Sequence, residues 1–354
     1  MLVEGVRRIA VLRANAIGDF LMIVPALEAL RTAYPEAQIT VIGDAWLPDL
    51  LRGRPGPWTG GVVVAPRYPG LRGASTAAAA DPAHHAFFEE HRGRYDVVLQ
   101  MHGGGATSNG FVRRLRPRVS AGARSPDAEP LDRWVPYVER RHEVLRWLEV
   151  AELVGAVGPA GTRSLVPRLA VTDGDLTDSR AAWPSDEPFA ALHVGARDHR
   201  RRWSPRFYAD VARHLWQRHG LRCVLVGGPG DDAAGQATTT ALLGAPVADL
   251  TGRVSLGGTL GLLSRSAIFV GNDSGPRHLA VATGVPTVGI FWIGNMLTFG
   301  PLTGPKDRAM ISFRLHCPRC GQQQLAQPCS HDISLVDDVT PQEVMGTVDE
   351  LLIG

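Results

Sequence analysis

Apolar residues in this chain come in short unbroken runs, and the runs alternate with stretches of helical period. Ile9-Ala10-Val11-Leu12, between Arg8 and Arg13, predicts a strand buried on both faces. The loop Ala14–Gly18 leads into a helical pattern from Asp19 to about Tyr34, with Leu21, Val24, Leu27 and Leu30 on one face and Pro35 closing it. Gln38–Ile42 reads as the next strand. Strand, loop, helix and strand in that order predict a parallel sheet with helices on its faces. Further strands are expected at Gly61–Val64 and Asp96–Met101, separated by a Pro-, Gly- and Ala-rich surface excursion from Pro66 to Pro82, and a long amphipathic helix at about Arg133–Val154. From Gly158 to Pro188 the chain is polar and broken by four prolines, which predicts a linker.

A second series follows. Phe189–Val194 is a strand, Pro205–Arg218 a helix, and Arg222–Val226 a strand that ends in Gly227-Gly228-Pro229-Gly230. Helices are expected at Asp231–Leu243 and Ser255–Ser264, then a strand at Ala267–Val270, a helix at Gly275–Thr283, a strand at Thr287–Phe291 and a last helix at about Pro341–Leu352. The organisation predicted is an α/β domain over residues 1–165, a linker over 166–188, a second α/β domain over 189–340 and a terminal helix over 341–354.

Composition narrows the classes. With 44% hydrophobic and 20% charged residues, 354 residues can build two cores, which excludes a disordered chain or a disulfide scaffold. The formal net charge is only +2, so no diffuse nucleic-acid-binding surface is implied. Of 37 basic residues only Lys306 is a lysine, so any anionic ligand falls to arginines, backbone N–H groups or helix N-termini. Four cysteines fit a reducing compartment, and Met1–Ala10 lacks the apolar core of a signal peptide. His278–Pro305 carries no Asp, Glu, Lys or Arg, but its glycines and prolines break any spanning helix.

Five segments could carry chemistry. Arg13–Asp19 leaves the C-terminal end of a strand, the edge where α/β sheets bind ligands; Asp19 is either a first-turn helix acid or a general base at the mouth of an interdomain cleft. The loop lacks the GxGxxG spacing of a dinucleotide site. The segment from His193 through Gly195, Ala196, Arg200, Arg201 and Arg202 to Trp203 is either a solvated loop or a diphosphate cradle of N–H groups and guanidinium. In Val226–Asp232, Asp231 is either a helix cap or a ribose acceptor. In Gly271–His278, Asp273, Ser274 and Gly275 open a helix whose N–H groups suit an anion, with His278 one turn inside. Cys317, Cys320, Cys329 and His331 have a Cys₃His ligand set and are candidates for Zn²⁺, against the reading of reduced or locally bridged thiols; Cys223 reads as a buried hydrophobe.

Taken together the segments resemble glycosyltransferase family 9, the ADP-heptose:lipopolysaccharide heptosyltransferases. The resemblance rests on Gly18-Asp19, Pro25-Ala26-Leu27, Tyr34-Pro35 and Ile39-Thr40-Val41 at the start. It continues through Leu99-Gln100-Met101-His102-Gly103, the arginines before Trp203, the Gly-Gly-Pro-Gly turn and Ser255-Leu256. It ends on Asp273-Ser274-Gly275 with His278, Ala280, Gly284 and Pro286. It implies a GT-B fold, two Rossmann-like domains with parallel sheets facing a central cleft, and a final helix packing back on the first domain. It implies an inverting transfer of heptose or a related sugar from an ADP-sugar to a hydroxyl of a glycan, glycolipid or small-molecule acceptor, with no catalytic metal or other cofactor. Asp19 then matches the base, and Asn15, Gly18, His102 and Gly103 lie on acceptor-side loops. Gly195, Ala196, Arg201 (or its neighbours Arg200 and Arg202, where the family often has lysine), Asp231, Val254, Asp273, Ser274, Gly275 and His278 match the donor side. The expected location is cytoplasmic, with no nucleic-acid partner and at most peripheral membrane contact. The alternatives kept are another GT-B enzyme such as a nucleotide-sugar epimerase, and a non-catalytic nucleotide-sugar-binding protein.

Overall fold

Two six-stranded parallel sheets organise the chain in a computed structural model that describes residues 1–71, 82–157, 165–231, 247–302, 304–325 and 327–353. The chain divides into two units, Met1–Pro167 and Arg168–Gly354. The first unit runs β1 (Arg8–Leu12), α1 (Ile17–Leu21), α2 (Val24–Ala33), β2 (Gln38–Gly43), α3 (Leu47–Leu51), β3 (Val62–Val64), α4 (Pro82–His91), β4 (Val97–Gln100), α5 (Ser108–Arg114), β5 (Val119–Arg124), β6 (Arg133–Pro136) and α6 (Glu143–Glu152). The second runs α7 (Asp173–Ala182), β7 (Phe189–His193), α8 (Pro205–His219), β8 (Arg222–Leu225), β9 (Val247–Asp249), α9 (Leu256–Arg265), β10 (Ile268–Asn272), α10 (Gly275–Thr283), β11 (Thr287–Trp292), α11 (Ile293–Phe299), β12 (Asp307–Ser312) and α12 (Pro341–Ile353).

The strand orders, β3-β2-β1-β4-β5-β6 and β12-β11-β10-β7-β8-β9, give each unit one place where the winding reverses. It lies between β1 and β4 in the first and between β7 and β10 in the second. At such a reversal the loops leaving the two strands diverge and open a crevice at their C-terminal ends. Leu12 pairs with Gln100 and Gly271 with His193, so Arg13–Asp19 meets His102–Gly103 at one crevice, and Val194–Arg202 meets Asp273–His278 at the other.

Several elements differ from expectation for local reasons. The single helix from Asp19 is two, because Pro25 sits in the first turn of α2 and has no N–H to continue α1. The expected helix Arg133–Val154 begins instead as the edge strand β6; Pro136 ends it and helix resumes at His142, whose side chain caps α6. The linker 166–188 contains α7, started by a capping box between Thr172 and Asp175. This helix lies close against α9 because a Cβ on Gly261 would run into the Asp175 carbonyl. In the terminal helix, Val344 and Val348 of α12 are buried in the core of the second unit. Asp349 accepts hydrogen bonds from His214 (2.8 Å) and His219 (2.6 Å) of α8. Of the excursion Pro66–Pro82 and the helix Asp231–Leu243, residues 72–81 and 232–243 lie outside the described residues. The uncharged stretch from His278 forms α10, β11 and α11. Among the described residues no helix is long and apolar enough to cross a membrane.

Candidate active site

Arg13 follows β1 with its side chain only 2% exposed, and its guanidinium organises the first crevice. Nη2 donates to Asp19 Oδ1 (2.7 Å) and to Glu143 Oε2 (2.9 Å), Nη1 to the Met101 carbonyl (2.7 Å) and Nε to the Asp19 carbonyl (3.1 Å). The plane lies over the Trp147 ring, 5.0 Å from its centroid, and Trp147 Nε1 donates back to Glu143 (2.9 Å). One buried cation thus holds two carboxylates from distant segments. Asp19, at the third position of α1, is fixed through one oxygen; its other oxygen accepts nothing from the described residues, and the side chain is 26% exposed. Asn15 is half-buried beside it and Gly18 is buried.

His102 closes the floor of this crevice. The Ala14 N–H donates to its Nδ1 (3.3 Å), so Nε2 carries the proton and donates to the Gly70 carbonyl (3.2 Å). Burial, with the nearby charge of Arg13, drives its pKa down to about 4. The imidazole is therefore neutral at pH 7, with both nitrogens engaged in bracing three loops. Gly103 has φ +67°, which only glycine adopts without strain, and space beside it is open.

In the second unit Asn272 clips the crevice shut. Its Nδ2 donates to the carbonyls of Val194 (3.0 Å) and Gly195 (3.1 Å), and its Oδ1 accepts from Trp203 N–H (3.1 Å). The three neighbouring arginines separate by partner. Arg200 is taken by Asp198 (2.7 Å) and the Gln324 carbonyl (3.0 Å), and Arg202 Nε by the Ala196 carbonyl (2.8 Å). Arg201 reaches Asp273, with Nη1 3.1 Å from Oδ2 and 3.2 Å from the carbonyl, and its Nε is buried without a hydrogen-bond partner. An unpaired buried guanidinium N–H is costly unless something accepts it.

Asp273 is almost wholly buried. Burial alone would raise its pKa, but the His278 hydrogen bond and charge, with Arg201 and Arg277, more than offset this and hold it below the ordinary value. His278 Nε2 lies 3.4 Å from Asp273 Oδ1. Ser274 caps α10 by conformation only, its hydroxyl donating to the Asn272 carbonyl (3.0 Å), so the first-turn N–H groups of Gly275 and Arg277 have no intrahelical acceptor. Asp231 comes to the same edge. Its Oδ2 accepts from Gly228 N–H (3.0 Å), and a Cβ on Gly195 would run into Oδ1, so only glycine leaves room for this carboxylate. Val254 sits on the loop after β9, tied in by Gly252 N–H to the Gly227 carbonyl (3.0 Å). Cys317, Cys320, Cys329 and His331 also converge, their ligand atoms all within 4.8 Å of one another.

Sequence reasoning missed Arg13, Glu143, Asn272 and Arg277. Arg277 is 2% exposed, pairs with both oxygens of Asp307 (2.6 Å each) and fits only because Gly289 of β11 has no side chain. A charged residue closing an apolar run, as Arg13 does, is the one sequence signal that was available.

Residues 85–330 match the sequence profile of Glycosyltransferase family 9 (heptosyltransferase). Lipopolysaccharide heptosyltransferase 2 of Salmonella typhimurium is 27% identical over 98% of this chain and 98% of its own length. Two solved structures share the architecture. A glycosyl transferase family 9 protein from Veillonella parvula has a TM-score of 0.76 at 20% identity over 98% of this chain and 97% of its own. The ADP-heptose lps heptosyltransferase II of E. coli has 0.70 at 22% over 98% of each. At these identities the likeness is one of fold, GT-B.

Proposed function

The chain belongs to glycosyltransferase family 9, the heptosyltransferases, and on that premise we propose that it transfers heptose, or a closely related sugar, from an ADP-sugar to a hydroxyl of a lipopolysaccharide-core acceptor with inversion at the anomeric carbon. The observation that carries this reading is the state of Asp19: one oxygen clamped by a buried arginine, the other uncommitted, at the crevice of the first sheet. As the acceptor oxygen attacks, Asp19 takes its proton, so the nucleophile gains charge only as the new bond forms. The leaving diphosphate gains negative charge. Arg201, held beside Asp273, the N–H groups at the start of α10, and His278 supply positive charge and donors where that charge develops. Gly195 and Ala196 border the diphosphate, Asp231 accepts from ribose hydroxyls, and the Val254 backbone meets the adenine edge. Asn15, Gly18, His102 and Gly103 lie toward the acceptor. The names of the relatives support both the lipopolysaccharide acceptor and the ADP-heptose donor. A lipid-linked acceptor places the work at the inner face of the cytoplasmic membrane through peripheral contact alone.

The test is transfer from ADP-heptose to truncated lipopolysaccharide core, with Asp19→Asn beside the unaltered chain. The amide keeps the shape and Arg13 keeps Glu143, so turnover falls by about 10² or more while calorimetry finds ADP binding unchanged. Near-native turnover in the variant removes Asp19 from the role. Conversion of the donor with no acceptor present points to the epimerase reading, and donor binding with no transfer to any acceptor to the non-catalytic one.

A further inference from the structure

We propose that Cys317, Cys320, Cys329 and His331 form a closed tetrahedral site for one Zn²⁺ ion, a structural centre that holds the segment after β12 against the donor-side arginine loop. Residues 313–340 join β12 to α12 with no helix or strand among their described residues, only an isolated bridge between His316 and Gln323. Yet Leu335, Val336 and Val339 from this segment are buried in the core of the second unit. A long connection without backbone ladders needs another cross-link to place its apolar residues.

The geometry supplies one. The three thiols are free, so no disulfide competes for the sulfurs. Cys317 Sγ lies 3.6 Å from His331 Nδ1. For Zn–S of about 2.3 Å and Zn–N of about 2.0 Å, the edge of a tetrahedron is about 3.5 Å, so this pair already stands at ligand separation. The turn Cys317-Pro318-Arg319-Cys320-Gly321 bends back on itself, Gly321 at φ +74° and its N–H on the Cys317 carbonyl (2.9 Å). Arg319 N–H points at Cys317 Sγ (3.4 Å) and Gln324 Nε2 at Cys329 Sγ (3.4 Å). N–H groups aimed at sulfur are the outer contacts that orient the ligands of a metal site. Three thiolates and an imidazole, all supplied by protein, favour a soft ion in a saturated site, with no position left for substrate.

The centre is wired to the arginine loop. The carbonyl of Gln324, between the second and third cysteines, accepts from Arg200 Nη1 (3.0 Å), and Leu335 N–H donates to the Arg200 carbonyl (2.8 Å). The residue after Arg200 is the one that reaches Asp273.

The experiment is metal analysis of the full chain from cells supplied with both zinc and iron. One equivalent of zinc is expected, lost in Cys317→Ser/Cys329→Ser and retained in Cys223→Ala. Because the double variant can fail to fold, cobalt is also loaded into the zinc-stripped full chain. Tetrahedral ligand-field bands with thiolate charge transfer are expected, and His331→Cys should keep the metal and strengthen the charge-transfer band. Three results overturn the proposal: no transition metal above background after anaerobic reconstitution, octahedral cobalt, or metal retained by the double variant. One equivalent of iron in place of zinc overturns the zinc assignment.

Discussion

His102 ties its surroundings to pH. Its folded pKa of about 4 lies below the ordinary histidine value of about 6.5, so between the two the unfolded chain binds the extra proton. Its share of stability is complete above about pH 6.5 and is lost as pH falls toward 4, a loss of up to about 3 kcal/mol. Urea unfolding at pH 7 and pH 5 should show a smaller loss in His102→Gln than in the unaltered chain. His193, buried and lowered by desolvation first of all, titrates in both and cancels; equal losses in the two proteins would rule out the assignment. Arg201 makes the complementary test. Arg201→Met leaves Asp273 its contact to His278 and the nearby charge of Arg277, so the unit stays folded. ADP affinity falls about tenfold to a hundredfold, the worth of a charged hydrogen bond or two. Unchanged affinity by calorimetry would assign the phosphate to another arginine.

Among the elements, α7 shows what a cap contributes. Thr172→Ala removes the oxygen that receives Asp175 N–H (3.2 Å) and should lower stability by about 1 kcal/mol, read as a lower urea midpoint with unchanged slope. The same helix shows where sequence reading stops. Its buried side chains are Asp175 and Ser179, set against the glycines of α9, so it carries no apolar stripe to betray it. β5, Val-Ser-Ala-Gly-Ala-Arg, hides likewise, being nearly devoid of branched residues. Most strands that were legible, β1, β2, β4, β7, β8, β10 and β11, are runs of mainly apolar, buried residues, and β3, only partly buried, was legible as a run of valines. The candidate site follows the same division. Asp19, Arg201, Asp231 and Asp273–His278 lie in the loops or first helical turns that follow such strands, and strand ends can be read. Glu143 reaches Arg13 across 130 residues, and nothing local announces a pairing at that range.

For the molecule as a whole, a donor that binds only the folded chain raises its stability by mass action, about 2.7 kcal/mol at a hundred times Kd. A thermal-shift comparison of nucleotide-diphosphate sugars should place ADP-heptose above UDP- and GDP-sugars; a clearly larger shift with either of the others would reassign the donor. The arginine loop after β7 has a further consequence for biosynthesis. Trp203 Nε1 donates to the Val339 carbonyl (2.8 Å), Ser204 N–H to Asp337 (2.9 Å), and the core beneath is finished by Val344 and Val348. A nascent polypeptide emerges from the ribosome amino end first. The first unit can fold while translation continues, but the second must wait until the residues that finish its core, Val339, Val344 and Val348, have been made. A stop codon before residue 337 would release a chain with its front half complete and its rear half unable to close.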